Sequence, residues 1–152
     1  MEYSYKQLSG DDVELFKNLL KVFGEAFDEL STYQDAVPSD SYLQSLLNKP
    51  HFIALIAQNG DEVVGGIAAY VLEKFEQDRR EIYIYDLAVA ESHRRKGIAT
   101  ALIKNLQRIA KERAAYVIFV QADQGDIAAI KLYESFGTRE DVYHFDIPVD
   151  SD

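Results

Sequence analysis

A basic loop lies between an apolar run and a helix-like run in the middle of the chain. The apolar run ends in Asp86-Leu87-Ala88-Val89, and Arg94-Arg95-Lys96-Gly97-Ile98-Ala99-Thr100 leads into the helix. The amides and the positive dipole end at a helix N-terminus bind anions, and arginines add charge-assisted hydrogen bonds. We therefore predict that residues 94–100, here called the phosphate loop, bind a pyrophosphate. The spacing matches neither a Walker loop nor a dinucleotide fingerprint, which disfavours nucleoside triphosphates and dinucleotides.

Asp86 is a second candidate for chemistry, because it lies inside the β-rich run Glu81–Val89. An acid in the middle of an apolar, central strand must be paired, hydrogen-bonded or directed into a cleft. Asp86 is therefore the first candidate for a proton acceptor. Glu81, at the start of the same run, is the alternative and is equally well explained as a surface acid.

Several chemistries are disfavoured by what the sequence lacks. The chain has no cysteine, which excludes a disulfide framework, a thiolate zinc site and a cysteine nucleophile. His51, His93 and His144 show no metal-ligand spacing, and no Gly-x-Ser-x-Gly motif is present. We predict no metal, and the histidines are interpreted as structural or solvent-exposed.

Hydrophobic periodicity predicts the elements that position these residues. Helices are expected from Ser9 to about residue 29, after Ser39, from Ile98 to about Arg113 and from Ala128 to Phe136. Strands are expected at Tyr3–Leu8, His51–Gln58, Val63–Val71, Glu81–Val89, Tyr116–Gln121 and Val142–Ile147. Asn59-Gly60 predicts a hairpin with positive φ at both of its central positions. The fold class is α/β of the α+β type, with a mixed sheet of about six to seven strands and about four helices in one domain over residues 1–152.

Charge is unevenly distributed along the 152 residues. The net charge is −10, yet residues 91–113 carry seven Lys and Arg against Glu91 and Glu112. Two sites of opposite sign are indicated, one for an anion and one for a cationic partner, and nucleic acid and anionic membranes are disfavoured as partners. The sequence shows neither a run of about 20 apolar residues nor a signal peptide, so a cytoplasmic protein is expected.

Two motifs resemble the GNAT superfamily of N-acetyltransferases. Arg94-x-x-Gly97-x-Ala99 is similar to the phosphate-binding motif of that family, and Asp126-x-x-Ala129-x-x-Leu132-Tyr133 is similar to a second element that follows it. The resemblance implies acetyl-coenzyme A as co-substrate. It also implies that the backbone of Leu87, Ala88 and Val89 pairs with the pantetheine arm, and that Asp126, Ala129 and Tyr133 belong to the coenzyme site.

Longer strings are similar to the type I aminoglycoside 3-N-acetyltransferases, the gentamicin acetyltransferases. They are Phe23–Phe27, Tyr70–Glu76, Glu81–Val89, Ala115–Asp123 and His144–Ile147. This resemblance implies direct transfer of an acetyl group to the 3-amino group of an aminoglycoside antibiotic, and a possible homodimer. The alternatives are a GNAT enzyme that acetylates polyamines or other small polycations, and a coenzyme-binding GNAT-like protein without turnover.

We expect three groups to carry the transfer. Asp86 accepts the proton of the amine, the Val89 amide polarises the thioester carbonyl, and Tyr133 donates to the departing thiolate; Glu81 or water is the alternative base, and core packing is the alternative role of Tyr133. A polycationic acceptor needs several carboxylates and hydroxyls around it. The candidates are Asp28, Glu29, Tyr33, Glu81, Asp123 and Asp146, of which Asp146 is explained as well by a local structural pairing.

Overall fold

A five-stranded mixed sheet organises the N-terminal 121 residues in the computed structural model, which describes residues 2–150. The strands are β1 (Ser4–Gln7), β2 (Phe52–Asn59), β3 (Glu62–Glu73), β4 (Arg80–Val89) and β5 (Ala115–Val120), in that spatial order. All neighbours are antiparallel except β4 and β5, which are parallel. The prediction that strand 81–89 is central is confirmed, because β4 pairs on both sides.

Helices cover both faces of this sheet. They are α1 (Val13–Ala26), α2 (Asp40–Leu47) and α3 (Ile98–Glu112), and α4 (Ile127–Glu134) follows β5. On β2, Phe52 and Ile56 pack in one cluster with α1 and α2. The intervening residue Ile53 is also buried, and α3 contacts the same strand. Successive side chains on a strand point to opposite faces, so α3 lies on the face opposite α1 and α2.

Gly66 on β3 allows α1 to lie close to the sheet. A Cβ atom at this position would lie 2.4 Å from the Leu55 carbonyl oxygen and 2.5 Å from Leu19 Cδ1. Leu19 is completely buried. A larger residue at position 66 would therefore push α1 away from the strands that carry the candidate site.

The predicted hairpin between β2 and β3 is confirmed, but its turn lies one residue later than expected. Asn59 pairs with Glu62, so the two central residues are Gly60 and Asp61. Gly60 has φ +62°, whereas Asp61 does not have positive φ. A single positive φ at the first central position is typical of a type II′ turn, so the prediction of two positive φ angles was wrong.

Residues from Ala122 onward form a second compact unit. Its helix α4 is followed by residues 138–150, over which the structure contains no strand, so the prediction of a strand at Val142–Ile147 was wrong. Alternating apolar residues show which side chains could share a face, but a strand also needs a neighbour for its backbone hydrogen bonds. The described residues therefore hold five strands instead of six to seven. The α+β fold class is confirmed, and the single domain stays a prediction.

Candidate active site

A β-bulge on β4 determines where Asp86 points. Ala68 on β3 pairs with Asp86, and the next residue, Ala69, pairs with Ile84, so Tyr85 is the extra residue. A bulge of this kind re-aims the following side chain. Ile82 and Ile84 are buried, so regular alternation along β4 would place Asp86 on the same buried face. With the bulge, Tyr85 is 64% exposed and Asp86 is half-buried.

β4 also loses its parallel neighbour at this point. Its pairing with β5 ends at Ile84 and Val120, while its pairing with β3 continues to Val89. Over the part of the chain that the structure describes, residues 85–89 thus have a strand on one side only. The open edge offers backbone groups to an extended ligand, as an added strand would use them. Leu87, Ala88 and Val89 were predicted to pair with the coenzyme, and all three lie on this edge.

The Asp86 carboxylate receives a hydrogen bond from a distant part of the chain. The Tyr33 hydroxyl donates to Asp86 Oδ2 across 2.8 Å. Burial raises the pKa of Asp86, and the negative charge of Glu29 acts in the same direction, while the hydrogen bond from Tyr33 lowers it. Burial, followed by the contact with Asp86, raises the pKa of Tyr33, so its hydroxyl stays protonated as a donor. The structure therefore brings together three predicted residues, Glu29, Tyr33 and Asp86.

The raised pKa of Asp86 predicts how its replacement affects stability. A carboxyl whose pKa is higher in the folded state stabilises the fold below its unfolded pKa of about 3.9, and this contribution is lost as the pH rises through the folded pKa. We expect Asp86→Asn to have a Tm equal to or above that of the wild type at pH 7.5. The difference should shrink below about pH 4. Thermal unfolding followed by circular dichroism measures the Tm of both proteins at both pH values. A Tm difference, variant minus wild type, that is smaller at pH 7.5 than at pH 4 would contradict the prediction.

The phosphate loop has the backbone that an anion site requires. Gly97 adopts φ +80° at the N-cap of α3, and Arg95 adopts φ +63°. No side chain caps α3 or α1, whereas α2 is capped by Ser39 and α4 by Asp126. The amides of Ile98, Ala99 and Thr100 at the start of α3 are therefore available to an external acceptor.

The basic side chains of the phosphate loop are exposed. Arg94 Nε donates to the Val89 carbonyl oxygen across 3.0 Å, which joins the loop to the end of β4. Neither Arg94, Arg95 nor Lys96 forms an ion pair with an acid within residues 2–150. Their charge is thus available to a bound anion.

Buried His93 anchors the turn that precedes the phosphate loop. Its exposed fraction is 7%, and its Nδ1 lies 2.9 Å from the hydroxyl of Tyr3. The two rings also meet edge to face. This geometry fits the structural interpretation of this histidine.

A row of aromatic rings beside Asp86 was not identified from the sequence. Tyr70 and Tyr83 both meet Tyr85 edge to face, and Tyr83 stacks on Phe119 with ring centroids 4.8 Å apart. The tyrosines at positions 83 and 85 were visible as a two-residue repeat, but their contacts with β3 and β5 depend on register. These rings offer apolar and hydroxyl surface next to the carboxylate.

Glu81 lies at the opposite end of β4 and has partners of its own. It accepts a hydrogen bond from the Tyr116 hydroxyl, and its Oε2 lies 3.7 Å from Lys74 Nζ. Asp86 lies five positions after Glu81 along β4, which corresponds to roughly 15 Å. These contacts favour the surface-acid interpretation of Glu81. Asp28 is exposed and adopts φ +54° in the turn after α1.

The remaining predicted site residues belong to the second unit. Asp126 Oδ1 accepts the Ala129 amide at 3.1 Å, so this aspartate caps α4. Tyr133 lies on α4 and is half-buried. Asp123 is exposed, and Asp146 lies 2.9 Å from His144 Nε2, the local pairing that had been considered for it.

Within residues 2–150, no group of three or more His, Asp or Glu side chains is arranged to hold a metal ion. No helix in the described part of the chain is long and apolar enough to span a membrane.

Two solved structures of aminoglycoside acetyltransferases are similar to this chain over nearly its whole length. The crystal structure of an aminoglycoside acetyltransferase, HMB0005, from an uncultured soil metagenomic sample is 54% identical, covers 99% of this chain and 100% of its own, and has a TM-score of 0.96. A second soil metagenomic aminoglycoside acetyltransferase, meta-AAC0020, crystallised with sisomicin, is 31% identical, covers 97% of both chains and has a TM-score of 0.90.

Curated relatives are more distant and longer. N-acetyltransferase 8B of Rattus norvegicus is 27% identical over 90 residues, which are 59% of this chain and 40% of the rat protein. The model of the acetyltransferase (GNAT) family matches residues 16–138, a range that includes β4, the phosphate loop and α4. Because this match covers most of the chain, the chain belongs to the GNAT acetyltransferases.

Proposed function

We propose that this GNAT enzyme transfers an acetyl group from acetyl-coenzyme A directly to the 3-amino group of an aminoglycoside. The observation that carries the proposal is the continuity of β4, the phosphate loop and α3. A half-buried acid, an open strand edge and an uncapped helix N-terminus follow one another within residues 86–100. This order places a proton acceptor on β4 and an anion site at the start of α3, close together along the chain. A cytoplasmic location and a homodimer are parts of the proposal.

The residues present fit the coenzyme. The GNAT family uses acetyl-coenzyme A, which supplies the acetyl group as a thioester. A Cβ atom added to Gly97 would meet nothing within 4 Å, so the loop has open space beside this glycine. We assign the pyrophosphate to the amides of residues 97–100 and to Arg94, Arg95 and Lys96. The open edge at Leu87, Ala88 and Val89 is assigned to the pantetheine arm, and Asp126 and Ala129 stay predicted contacts of the coenzyme.

Three groups of this chain then act on the reacting atoms. Asp86 holds the incoming ammonium and accepts its proton, directly or through a water molecule, so that the amine nitrogen can form its bond to the acetyl carbon. The Val89 amide donates to the carbonyl oxygen as negative charge develops there. The Tyr133 hydroxyl donates to the sulfur as the carbon–sulfur bond breaks. No cysteine is present to hold the acetyl group, which agrees with direct transfer.

Two observations support an aminoglycoside as acceptor. The relatives that are 54% and 31% identical are aminoglycoside acetyltransferases, and the second was crystallised in complex with sisomicin. Outside residues 91–113 the chain carries a net charge of −15, which suits an acceptor with several ammonium groups. We assign Asp28, Glu29, Tyr33 and Asp123 to the acceptor region, and Glu81 and Asp146 stay weaker candidates because each has a local partner.

A thiol-release assay on a panel of amines tests the proposal. Gentamicin-type aminoglycosides should give a far higher kcat/KM than spermidine, because a flexible chain loses more entropy when it is held at one nitrogen. Equal or higher kcat/KM with spermidine would favour the polyamine alternative. Binding of acetyl-coenzyme A without thiol release from any amine would favour a coenzyme-binding protein without turnover.

Removing the Tyr133 hydroxyl separates its chemical role from core packing. We expect Tyr133→Phe to lower kcat by roughly ten- to a hundredfold, the lower part of the range for a proton donor, with the Kd of coenzyme A nearly unchanged. Single-turnover kinetics and calorimetry measure the two quantities. An unchanged kcat in a folded variant would return Tyr133 to a packing role.

Neutralising Glu29 tests whether the acceptor region acts through charge. Glu29→Gln should raise KM for the aminoglycoside more than it lowers kcat, and the effect should fall at high salt. Glu62→Gln is a matched control, because exposed Glu62 begins β3 roughly 20 Å before Ala68, the partner of Asp86. Equal changes of KM in both variants would contradict a local acidic region at Glu29.

A further inference from the structure

A reversal of the chain after α1 brings Tyr33 to the sheet. Asp28 adopts φ +54°, and the Glu29 amide donates to the Gly24 carbonyl oxygen at 2.9 Å. The following residues form a π-helical turn, Ser31–Asp35. A Cβ atom on Gly24 would lie 3.1 Å from Tyr33 Cβ, so the glycine gives the returning segment room against α1. The position of Tyr33 is thus determined by the local backbone.

The ring of Tyr33 is also fixed by packing. It contacts Phe23 edge to face at 6.1 Å between centroids and Phe27 at 6.0 Å. Phe23 is almost completely buried in the core cluster. Because two aromatic neighbours hold the ring, its hydroxyl has a defined direction, and that direction ends 2.8 Å from Asp86 Oδ2.

We propose that Tyr33 is a positioning residue that fixes the Asp86 carboxylate for proton transfer, an inference that rests on the proposed function of Asp86. The hydroxyl occupies one carboxylate oxygen, Oδ2, and so leaves Oδ1 to receive the proton of the amine. The ammonium loses one proton to Oδ1, its nitrogen then forms the bond to the acetyl carbon as the carbon–sulfur bond breaks, and Tyr33 keeps its own proton throughout. This role adds to the place in the acceptor region that is assigned to Tyr33 above.

The hydrogen bond from Tyr33 also favours the ionised form of the Asp86 carboxylate. Glu29, from the turn after α1, is the neighbouring carboxylate that raises the pKa of Asp86, together with burial. Among the described residues, further titratable groups near this carboxylate are Tyr70 on β3, Tyr83 and Tyr85 on β4, and Tyr42 on α2, which acts on Tyr70. Tyr33 acts against burial and Glu29, because a donated hydrogen bond favours the charged carboxylate. Its removal should therefore make Asp86 harder to ionise.

Tyr33→Phe removes the hydroxyl and keeps the ring between Phe23 and Phe27. Two readouts are compared in the full chain: the pKa of Asp86 from carboxyl ¹³C NMR, with its resonance assigned by its absence in Asp86→Asn, and the pH profile of kcat/KM. We expect the pKa from NMR and the midpoint of the acidic limb of the kcat/KM profile to shift together to higher pH, by about half to one pH unit. The kcat should fall about three- to tenfold, with unchanged KM for acetyl-coenzyme A.

Two controls separate positioning from general packing. Tyr5→Phe removes a hydroxyl on β1, three strands or about 14 Å from β4, and should leave both readouts unchanged. In an Asp86→Asn background, Tyr33→Phe should cause no further loss of kcat, because Tyr33 acts through Asp86. A full additional loss in that background would overturn the inference.

Because the NMR measurement does not need an active enzyme, it can test the role of Tyr33 separately from the proposed function. If the wild type acetylated no amine but the Asp86 pKa still rose in Tyr33→Phe, the proposed function would fail and the pairing of Tyr33 with Asp86 would stand. If the wild type were active and neither the NMR pKa nor the pH profile moved, the function would stand and the positioning role would be wrong.

Discussion

Asp86→Asn is expected to lower kcat by two to four decades, because the variant keeps the shape of the side chain and loses the proton acceptor. Asparagine can still accept the hydrogen bond of Tyr33 through its amide oxygen, so the π-helical turn should stay in place. Steady-state and single-turnover kinetics with an aminoglycoside measure the loss. The Kd of acetyl-coenzyme A should change little, because the phosphate loop does not include this residue.

The fold of the variant serves as the control for this loss. Since the half-buried carboxylate has a raised pKa, its replacement should not lower the Tm at neutral pH. A kinetic defect with an intact Tm and intact coenzyme binding therefore reports on chemistry. Full activity of Asp86→Asn would transfer the role of base to Glu81 or to water.

Gly97→Glu is expected to abolish coenzyme binding. Any L-residue is strained at φ +80°, and a carboxylate would also repel the pyrophosphate at the N-terminus of α3. Arg95→Ala should have a graded effect, a loss of roughly 1.5–3 kcal/mol of binding free energy, the contribution of a charge-assisted hydrogen bond. Isothermal titration calorimetry with coenzyme A measures both variants.

Gln107→Glu is the matched control for the added charge. Exposed Gln107 lies on the same helix, nine residues or about 14 Å beyond Ile98, and its replacement should leave the Kd unchanged. Circular dichroism establishes that the Gly97→Glu variant is folded. Unchanged coenzyme affinity in a folded Gly97→Glu variant would contradict the assignment of the phosphate loop.

The local structure of the phosphate loop could be predicted from the sequence because its parts are adjacent. The end of β4, the basic residues and the start of α3 lie within residues 86–100, so local patterns determine their arrangement. The hydrophobic period of α3 and the glycine at its N-cap mark the same boundary. For such a site, spacing along the chain and proximity in space are nearly the same information.

The surroundings of Asp86 could not be predicted in the same way. Tyr33 lies 53 residues away in sequence, and its contact depends on the reversal at Asp28 and on the space left by Gly24. The bulge at Tyr85 changes which face Asp86 occupies, yet an alternating apolar run gives no sign of where an extra residue falls. Contacts of this kind follow from register and tertiary packing, which a local pattern does not contain.

The wrong prediction at Val142–Ile147 has a related cause. Its residues alternate as well as those of a paired strand, and the side chains of Tyr143 and Ile147 are 91% and 87% exposed in the structure. Strand propensity is chiefly a property of packing against neighbours, so a pattern without a paired neighbour does not produce a ladder.

The position of the acetyl group in the product tests whether the enzyme acetylates the 3-amino group of an aminoglycoside. The chain is incubated with acetyl-coenzyme A and sisomicin, the aminoglycoside bound by the relative that is 31% identical, and the product is characterised by mass spectrometry and two-dimensional NMR. We expect one added acetyl group, on the 3-amino nitrogen, in the wild type and strong depletion of this product with Asp86→Asn. Acetylation at another nitrogen, or no acetylated sisomicin from a folded enzyme that binds coenzyme A, would contradict it.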